Sequence, residues 1–271
     1  MTAAAPPLEG ARRRPTPAWF RAMRYWVAQY RRTWRGSVTT SFLYPVLYLA
    51  AMGVGLGSLV NHHVRSVGGE ERYLDFLAPG FLASTAMQIG GNEAMYPVMA
   101  AMKWLRTYFA MLATPLDVLD ILFGHLAWIA LRLTMVCAIY LLVMAAFGTV
   151  HSALAVLALP VGVLTGMAFA APIAAFAATQ TNDSAFTTIY RLGLIPLFLF
   201  SGTFFPIGQL PGWLQPVAQA TPLYHGVALC RGLVAGRIGA GPALAHLAYL
   251  VVLTGVGVAL ATTTYRRRLV T

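Results

Sequence analysis

Long apolar runs dominate the sequence and are separated by short polar or basic segments. Each run approaches or exceeds the roughly 20 residues that a helix needs to cross the hydrocarbon core of a bilayer. A helix is required because lipid offers no hydrogen-bond partner to the backbone. The six runs lie at about 37–60, 73–97, 116–147, 152–179, 186–204 and 242–264. The pattern therefore predicts an all-α integral membrane protein with six transmembrane helices.

An amphipathic segment, residues 19–36, precedes the first run. At about 100° per residue its apolar and basic side chains fall on separate arcs. The apolar arc contains Trp19, Met23, Trp26, Val27, Tyr30 and Trp34. The basic arc contains Arg21, Arg24, Arg31, Arg32 and Arg35. Such a helix is expected to lie in the headgroup plane, with tryptophan toward lipid and arginine toward phosphate or a protein partner. A plain anchor and an anchor that also contacts a partner both fit this pattern.

The distribution of basic residues predicts the orientation of the chain. Only 10% of the residues are charged, against about 25% in soluble domains, and the formal net charge is +11. With the N-terminus inside, segments 1–36, 98–115, 180–185 and 265–271 carry thirteen lysines and arginines, whereas the outer segments 61–72, 148–151 and 205–241 carry four. This bias places both termini in the cytoplasm. The positive charge therefore indicates membrane orientation, not nucleic-acid binding.

The segment that joins runs two and three, residues 98–115, is longer than a turn requires. It is expected to form a short helix with basic and aromatic side chains, and to end in Ala-Thr-Pro-Leu. Thr114 is predicted to cap the third span, with Pro115 at its first position and Asp117 and Asp120 in its first turn. The same tetrapeptide recurs at 220–223, where Thr221 and Pro222 predict another helix at about 222–235.

The outer segment before the last run is too polar for a span and too apolar for an ordinary soluble loop. Its prolines are expected to end one short piece and begin the next, and Trp213 suits a membrane interface. The prolines are Pro206, Pro211, Pro216 and Pro222. We therefore expect outer re-entrant helices, half sunk in the outer leaflet, before the last span.

Polar side chains inside the predicted spans are candidates for function. Arg132, near the middle of the third span, must face the bundle, a partner or water, because a central arginine costs about 2.5–3.5 kcal/mol on insertion scales. It is either a residue of the translocation path or subunit interface, or an internal ion pair or hydrogen-bond staple. Glu93 either links the second span to a basic residue of the connecting segment or is a snorkelling carboxylate. Gly53 and Gly57 form a GxxxG pattern, as do Gly162 and Gly166, and such a pattern permits close helix approach.

Motifs for chemistry on this chain are missing from the sequence. It contains no GxxxxGK[ST], GxSxG or HExxH, one lysine, and two cysteines, Cys137 and Cys230, without a CxxC. We therefore expect no catalytic, cofactor or metal site. His62 and His63 are interpreted as an exposed loop pair. If the chain takes part in active transport, another chain must supply the energy.

Several short motifs, in order along the chain, resemble the permease subunit of ABC-2-type exporters. Their closest resemblance is to the nodulation-type lipo-oligosaccharide branch, which also includes actinobacterial drug-exporter permeases. The resemblance covers about residues 20–265. The motifs are Leu77-Ala78-Pro79-Gly80, then Lys103-Trp104 with Arg106-Thr107-Tyr108 and Met111-Leu112-Ala113-Thr114-Pro115, then Ser201-Gly202-Thr203-Phe204-Phe205-Pro206, Leu210-Pro211-Gly212-Trp213-Leu214, Pro222-Leu223-Tyr224-His225-Gly226 and Cys230-Arg231-Gly232.

The resemblance implies a non-catalytic permease, in the cytoplasmic membrane, that exports an amphiphile such as a drug, a lipid or a lipo-oligosaccharide. It implies a second permease copy or paralogue, and a cytoplasmic ATPase dimer that binds ATP and Mg²⁺ and docks on segment 98–115 and the N-terminal helix. The domain limits would be a tail and interfacial helix (1–36), a transmembrane domain (37–264) and a basic tail (265–271). The outer-gate residues would be Pro206, Pro211, Trp213, Pro222, Tyr224, His225 and Arg231.

Two other classes of protein remain as alternatives. A polytopic membrane enzyme that handles lipid-linked substrates is expected to cluster carboxylates or histidines at one membrane face, and this chain does not. An ion-coupled secondary transporter often carries inverted repeats and acidic residues at mid-membrane, whereas the mid-span charge here is Arg132.

Overall fold

The computed structural model describes residues 16–57 and 72–270, and for residues 37–42 and 54 it gives the backbone alone. Within these ranges the chain forms helices and no strand. The long helices are α1 (Ala18–Ala50), α2 (Tyr73–Met99), α4 (Val118–Ala146), α5 (Ala158–Thr179) and α10 (Ala240–Val270). The short helices are α3 (Thr107–Leu112), α6 (Ser184–Thr188), α7 (Ile195–Phe200), α8 (Leu214–Gln219) and α9 (Pro222–Ala235).

Turns of π-helix and 3₁₀-helix extend or join these elements. The π-helical turns are Ala51–Leu56 after α1, Ala100–Trp104 after α2, and Ile189–Leu194 between α6 and α7. The 3₁₀ turns are Ala153–Leu157 and Ile207–Gln209. Because the backbone stays helical from Tyr73 to Trp104, α2 runs without a break into the connecting segment.

Three helical stretches among the described residues are long and apolar enough to cross a membrane: Val118–Ala146, Ala153–Thr179 and Ala240–Val270. They match the third, fourth and sixth predicted spans, so an all-α membrane protein is confirmed. The stretch that corresponds to the fifth predicted span, Ser184–Phe200, is shorter than predicted. It measures roughly 26 Å at 1.5 Å per residue. It ends at Phe200 because Gly202 takes a positive φ of 81° and turns the chain.

The predicted interfacial helix and first span form one helix. The α1 helix runs from Ala18 to Ala50 and passes the expected boundary at 36–37 without interruption. Gly36 lies at that boundary, and a single glycine costs a helix only about 1 kcal/mol. The predicted end of the first span at residue 60, the histidine pair at 62 and 63, and the outer segment up to residue 71 lie outside the described residues.

Helix α5 lies at the centre and packs against α2, α4, α9 and α10. Small residues allow its close approach to α2: a Cβ atom on Gly90 would lie 2.3 Å from the carbonyl oxygen of Gly166. A Cβ atom on Gly162 would lie 2.7 Å from Leu82. The GxxxG pattern of α5 therefore marks a real contact, in which missing side chains let two backbones touch.

Segments predicted to share a membrane face meet at the same end of the molecule. At one end, Lys103 donates a hydrogen bond to the carbonyl oxygen of Thr181, and both line a cavity with Arg268. At the other end, Arg72 donates to the carbonyl oxygen of Gly148 at 2.7 Å. The described contacts thus group the segments as the basic-residue distribution does.

The Gly90–Gly166 contact predicts a specific sensitivity to added volume. We expect Gly90→Ala to lower the apparent melting temperature of the purified protein in detergent, because the new methyl group must push α2 from α5 at a cost of roughly 1–3 kcal/mol. Gly255→Ala is the matched control, since a Cβ atom there meets nothing within 4 Å. Equal melting temperatures for the two variants would contradict the contact.

Candidate functional site

An ion pair joins three helices in the interior of the predicted membrane region. The Nη1 atom of Arg132 on α4 donates to the hydroxyl of Tyr30 on α1 at 2.7 Å, and its guanidinium lies 4.6 Å from the Tyr30 ring centroid. The Nε atom of Arg132 lies 3.5 Å from Oε1 of Glu93 on α2. Trp128 Nε1 donates to the other carboxylate oxygen at 3.3 Å. These contacts are the internal staple that was one of the two alternatives for Arg132.

The predicted link between Glu93 and the connecting segment is wrong. The carboxylate of Glu93 contacts Arg132 and Trp128 on α4. The ammonium group of Lys103, one basic residue of that segment, donates to the backbone of Thr181. The cause is geometric: α4 packs beside α2 and offers a buried cation, whereas Lys103 reaches the neighbouring loop.

The connecting segment presents a basic and aromatic surface. Lys103 and Arg106 are exposed, Trp104 is 53% exposed, and Thr107 is half-buried. Arg106 has a φ of 50° and is the only non-glycine residue with positive φ in the described part of the chain. This left-handed conformation strains an arginine and breaks the helix between Trp104 and Thr107. The break turns α3 away from the axis of α2.

Tyr108, predicted as part of the contact surface, is buried and therefore cannot touch a partner directly. Its hydroxyl lies 2.7 Å from Nδ1 of His125 on α4, and its ring lies 5.9 Å from that of Tyr265 on α10. Burial raises the pKa of the Tyr108 phenol well above its usual range, so the hydroxyl keeps its proton. Tyr108 fastens the connecting segment to two long helices. Sequence reasoning missed both partners, because His125 lies in an apolar run and Tyr265 at the start of the basic tail, and neither belongs to a motif.

The third span begins later than predicted. Thr114 closes α3, since its hydroxyl donates to the carbonyl oxygen of Met111 at 2.6 Å, and both Thr114 and Pro115 are exposed in the following turn. Asp117 caps α4 in a reciprocal capping box with Asp120. A carboxylate pair satisfies two free backbone N–H groups, so it takes the role assigned to Thr114.

The apolar face of the N-terminal helix packs against protein at its centre. Trp26 is 7% exposed and stacks on His125 with ring centroids 4.2 Å apart. Nearby, a Cβ atom on Gly124 would lie 2.6 Å from Ala22, so α1 and α4 are in close contact. The expectation that Trp26 faces lipid is therefore wrong. Met23, Val27 and Tyr30 of the same face are half-buried, whereas Trp19 and Trp34 are exposed. The basic residues Arg21, Arg24 and Arg31 are also exposed.

The outer segment forms short pieces as predicted, except that Pro216 lies inside α8 and does not separate two of them. Pro206 precedes the 3₁₀ turn Ile207–Gln209, and Pro211 precedes α8. Thr221 caps α9 by accepting a bond from the backbone N–H of Tyr224, and Pro222 stands at the start of the helix. Helix α9 ends at Ala235, as predicted, because Gly236 takes a positive φ of 67°. Trp213 is 75% exposed, and its place at a membrane interface stays a prediction.

Arg231 ties the outer segment to the start of α2. Its Nε atom donates to the carbonyl oxygen of Phe76 at 3.1 Å, and its Nη2 atom donates to that of Gly202 at 2.9 Å. The guanidinium lies 3.7 Å from the Phe76 ring centroid. Buried hydroxyl groups of Ser84 and Thr203, 2.9 Å apart, hold the same junction. Arg231 is thus a structural link between α9, α2 and the loop after α7.

Two histidines join α9 to α10. The Nδ1 atoms of His225 and His246 are 2.7 Å apart, so one ring donates and the other accepts. His225 also stacks on Tyr249 with centroids 3.9 Å apart, and Tyr224 meets both imidazoles edge-on. Burial, and secondly His246, lower the pKa of His225, while a backbone hydrogen bond to Gln219 opposes them. Within the described ranges no third ligand-type side chain completes a metal site.

These observations define a helical membrane protein with a basic surface segment at one end and a proline-broken segment at the other. The chain belongs to the ABC-2 type transporter family, whose model matches residues 19–234. It is 35% identical over 219 residues to Nodulation protein J of Rhizobium leguminosarum bv. trifolii, covering 78% of this chain and 82% of that protein. It is 34% identical over 251 residues to that of R. leguminosarum bv. viciae, covering 90% and 95%.

A third relative, Nodulation protein J of Rhizobium meliloti (strain 1021), is 33% identical over 218 residues, covering 78% of this chain and 81% of that protein. The predicted resemblance to the nodulation-type branch of ABC-2 permeases is therefore confirmed. The chain is the membrane subunit of an ABC exporter in the cell membrane, and its family implies partnership with an ABC ATPase.

The Tyr108–His125 bond predicts a stability effect. We expect Tyr108→Phe to lower the free energy of unfolding by roughly 1–3 kcal/mol, because it leaves a buried imidazole nitrogen without its partner. Adding His125→Leu should restore part of the loss, since both polar groups are then absent. The measurement is thermal denaturation in detergent, with Tyr96→Phe, at an exposed tyrosine, as the control. A double variant less stable than Tyr108→Phe would show that the bond is not responsible.

The histidine pair predicts an acid sensitivity of the outer segment. Because the pKa of His225 is lowered in the folded state, the unfolded state binds protons more readily, and stability falls as pH drops below the usual value of about 6.5. We expect the melting temperature to decrease between about pH 7.5 and 5.5, and to decrease less in His225→Gln, which keeps a hydrogen bond but cannot titrate. An unchanged pH dependence in His225→Gln would rule out this origin.

Proposed function

We propose that this chain is the permease subunit of an exporter that moves an amphiphile, such as a drug, a lipid or a lipo-oligosaccharide, across the cytoplasmic membrane. A separate ATPase dimer, which binds ATP and Mg²⁺, powers the movement. Two permease copies, or this chain and a paralogue, form the membrane part, with the termini of both in the cytoplasm.

The observation that carries this proposal is the connecting segment. Lys103, Trp104 and Arg106 are exposed, while Tyr108 is fixed to α4 through His125 and contacts α10 through Tyr265. A surface with exposed side chains and a rigid base suits the transmission of force from a partner. The chain has no P-loop motif of its own, so the force must come from another chain.

The helix α2 supplies a path for that force. Backbone helicity continues from Trp104 through the π-helical turn into α2, and Glu93 lies on this helix roughly 16 Å from Trp104 at 1.5 Å per residue. A tilt of the connecting segment therefore moves Glu93, and with it the contact to Arg132. In this proposal ATP hydrolysis in the partner alters the intramembrane ion pair through one continuous helix.

The test is affinity purification of the chain from detergent-solubilised native membranes, with mass spectrometry of the proteins that follow it. We expect a stoichiometric P-loop ATPase, and its loss in Lys103→Glu and Arg106→Glu, because the reversed charge repels the same partner surface. Arg237→Glu, at an exposed arginine of the opposite end, should retain the ATPase.

A further variant separates charge from backbone at Arg106. Asparagine tolerates the left-handed conformation, so Arg106→Asn removes the charge without adding strain. If charge provides the contact, Arg106→Asn should also weaken recovery of the ATPase. A chain that purifies without any ATPase would contradict the proposed function. An ATPase that is still recovered with both charge-reversal variants would contradict the proposed coupling site.

A further inference from the structure

Two cavities lie along one face of the molecule, between α1, α2 and α4. The first, of about 350 Å³, lies beside the connecting segment and has aromatic walls that include Tyr30, Trp104 and Trp128. The second, of about 240 Å³, combines the polar side chains of Thr85, Gln88 and Asn92 with apolar ones such as Ile89 and Val136. Arg132 lines both cavities and is therefore their common wall.

The two cavities follow each other along the helix axes. On α2 and its extension, the lining side chains run from Trp104 through Tyr96 and Asn92 to Thr85, which is roughly 28 Å at 1.5 Å per residue. This length approaches the thickness of about 30 Å of the hydrocarbon core. Tyr44 and Asn92 of the second cavity are exposed, so this track opens sideways on the surface of the subunit.

Arg132 is held firmly by its contact to α1 and loosely by its contact to α2. Its Nη1 atom has a 2.7 Å hydrogen bond to Tyr30, whereas its Nε atom lies 3.5 Å from Glu93. That Nε atom is buried without a hydrogen-bond partner among the described residues. A small movement of α2 can therefore break the contact to Glu93 while the bond to α1 persists.

The charges of the track constrain what passes through it. Arg132 and Glu93 compensate each other, and the other polar side chains lining the two cavities carry no formal charge. A charged group that entered would lose hydration without finding a free counter-charge, which is costly. An uncharged group with hydroxyls or amides finds donors, acceptors and aromatic faces. The lateral opening leaves room for an acyl chain to remain in lipid.

We propose that this face is a two-chambered path for the uncharged, hydroxyl- or amide-bearing headgroup of an amphiphile, and that Arg132 is the barrier between the chambers. This inference rests on the proposed function, because it names the substrate class of that transport. In the state described here the barrier is closed, since Arg132 bridges α1 and α2 from α4.

The barrier is tested by thiol labelling of the chain in inverted membrane vesicles with a membrane-impermeant maleimide. Gln29→Cys reports the first chamber and Gln88→Cys the second, while the native cysteines are buried and give the background. We expect rapid labelling at position 29 and slow labelling at position 88. Arg132→Ala should speed labelling at position 88 by about tenfold or more, because an open minor state is at most about 10% populated.

Two further variants keep this test independent of folding defects. Glu93→Gln, which leaves Arg132 in place but weakens its hold, should speed labelling at position 88 to an intermediate rate. Arg191→Ala removes an exposed arginine that lines neither cavity and should leave the rate unchanged. Unchanged labelling in both Arg132→Ala and Glu93→Gln would overturn the barrier, as would an equal increase in Arg191→Ala.

The headgroup class is tested by protection of Gln29→Cys in nanodiscs with three decyl amphiphiles: a maltoside, a trimethylammonium and a phosphate. We expect the maltoside alone to protect, slowing labelling about threefold at twice its dissociation constant. Protection by the cation or the anion instead, or by none of the three, would overturn the assignment. This experiment needs neither ATP nor the partner ATPase. A lack of protection therefore contradicts the headgroup assignment, whereas failure to recover an ATPase contradicts the proposed function.

Discussion

The fold depends on the contact between α2 and α5, where two backbones touch at Gly90 and Gly166. In a bilayer there is no hydrophobic drive to press helices together, so association relies on close packing and hydrogen bonds. The carbonyl oxygen of Gly166 would lie 2.3 Å from a Cβ atom on Gly90, which leaves no space for any side chain. This contact sets the position of α2, and α2 carries both Glu93 and the connecting segment.

Polar contacts then fix the directions of the surrounding helices. The Arg132, Glu93, Tyr30 and Trp128 group joins α1, α2 and α4 on one side of the bundle. Arg231 joins α9 to the first turn of α2 and to the loop after α7. Both arginines offer several donors in a rigid plane, so each can hold two helices or loops at once. Their cost in lipid is offset because the hydrogen bonds remain inside the protein.

The sequence predicted those elements whose signals are local. The start of α9 at Thr221 and Pro222, and the apolar runs that became α4, α5 and α10, were correct because capping residues and length decide them. The same tetrapeptide at 113–116 led to a wrong prediction of the helix start, since Asp117 and Asp120 cap α4 three residues after the predicted cap. Trp26, Tyr108 and the partner of Glu93 were misplaced because their positions depend on which helix packs beside them. An amphipathic pattern cannot distinguish a lipid surface from α4.

The strained conformation of Arg106 gives the connecting segment its mechanical character. A left-handed arginine is unfavourable in isolation and persists because Tyr108 is held by His125 on the following side and α2 is held by α5 on the preceding side. In the proposed coupling, a push on Trp104 or Arg106 would act on the turn between these two fixed points. In that proposal the movement would pass to α2 as a tilt, because the π-helical turn keeps the helix continuous. Glu93, which lies 3.5 Å from Arg132, is on that same helix, so the element proposed to receive the force also carries the longer of the two Arg132 contacts.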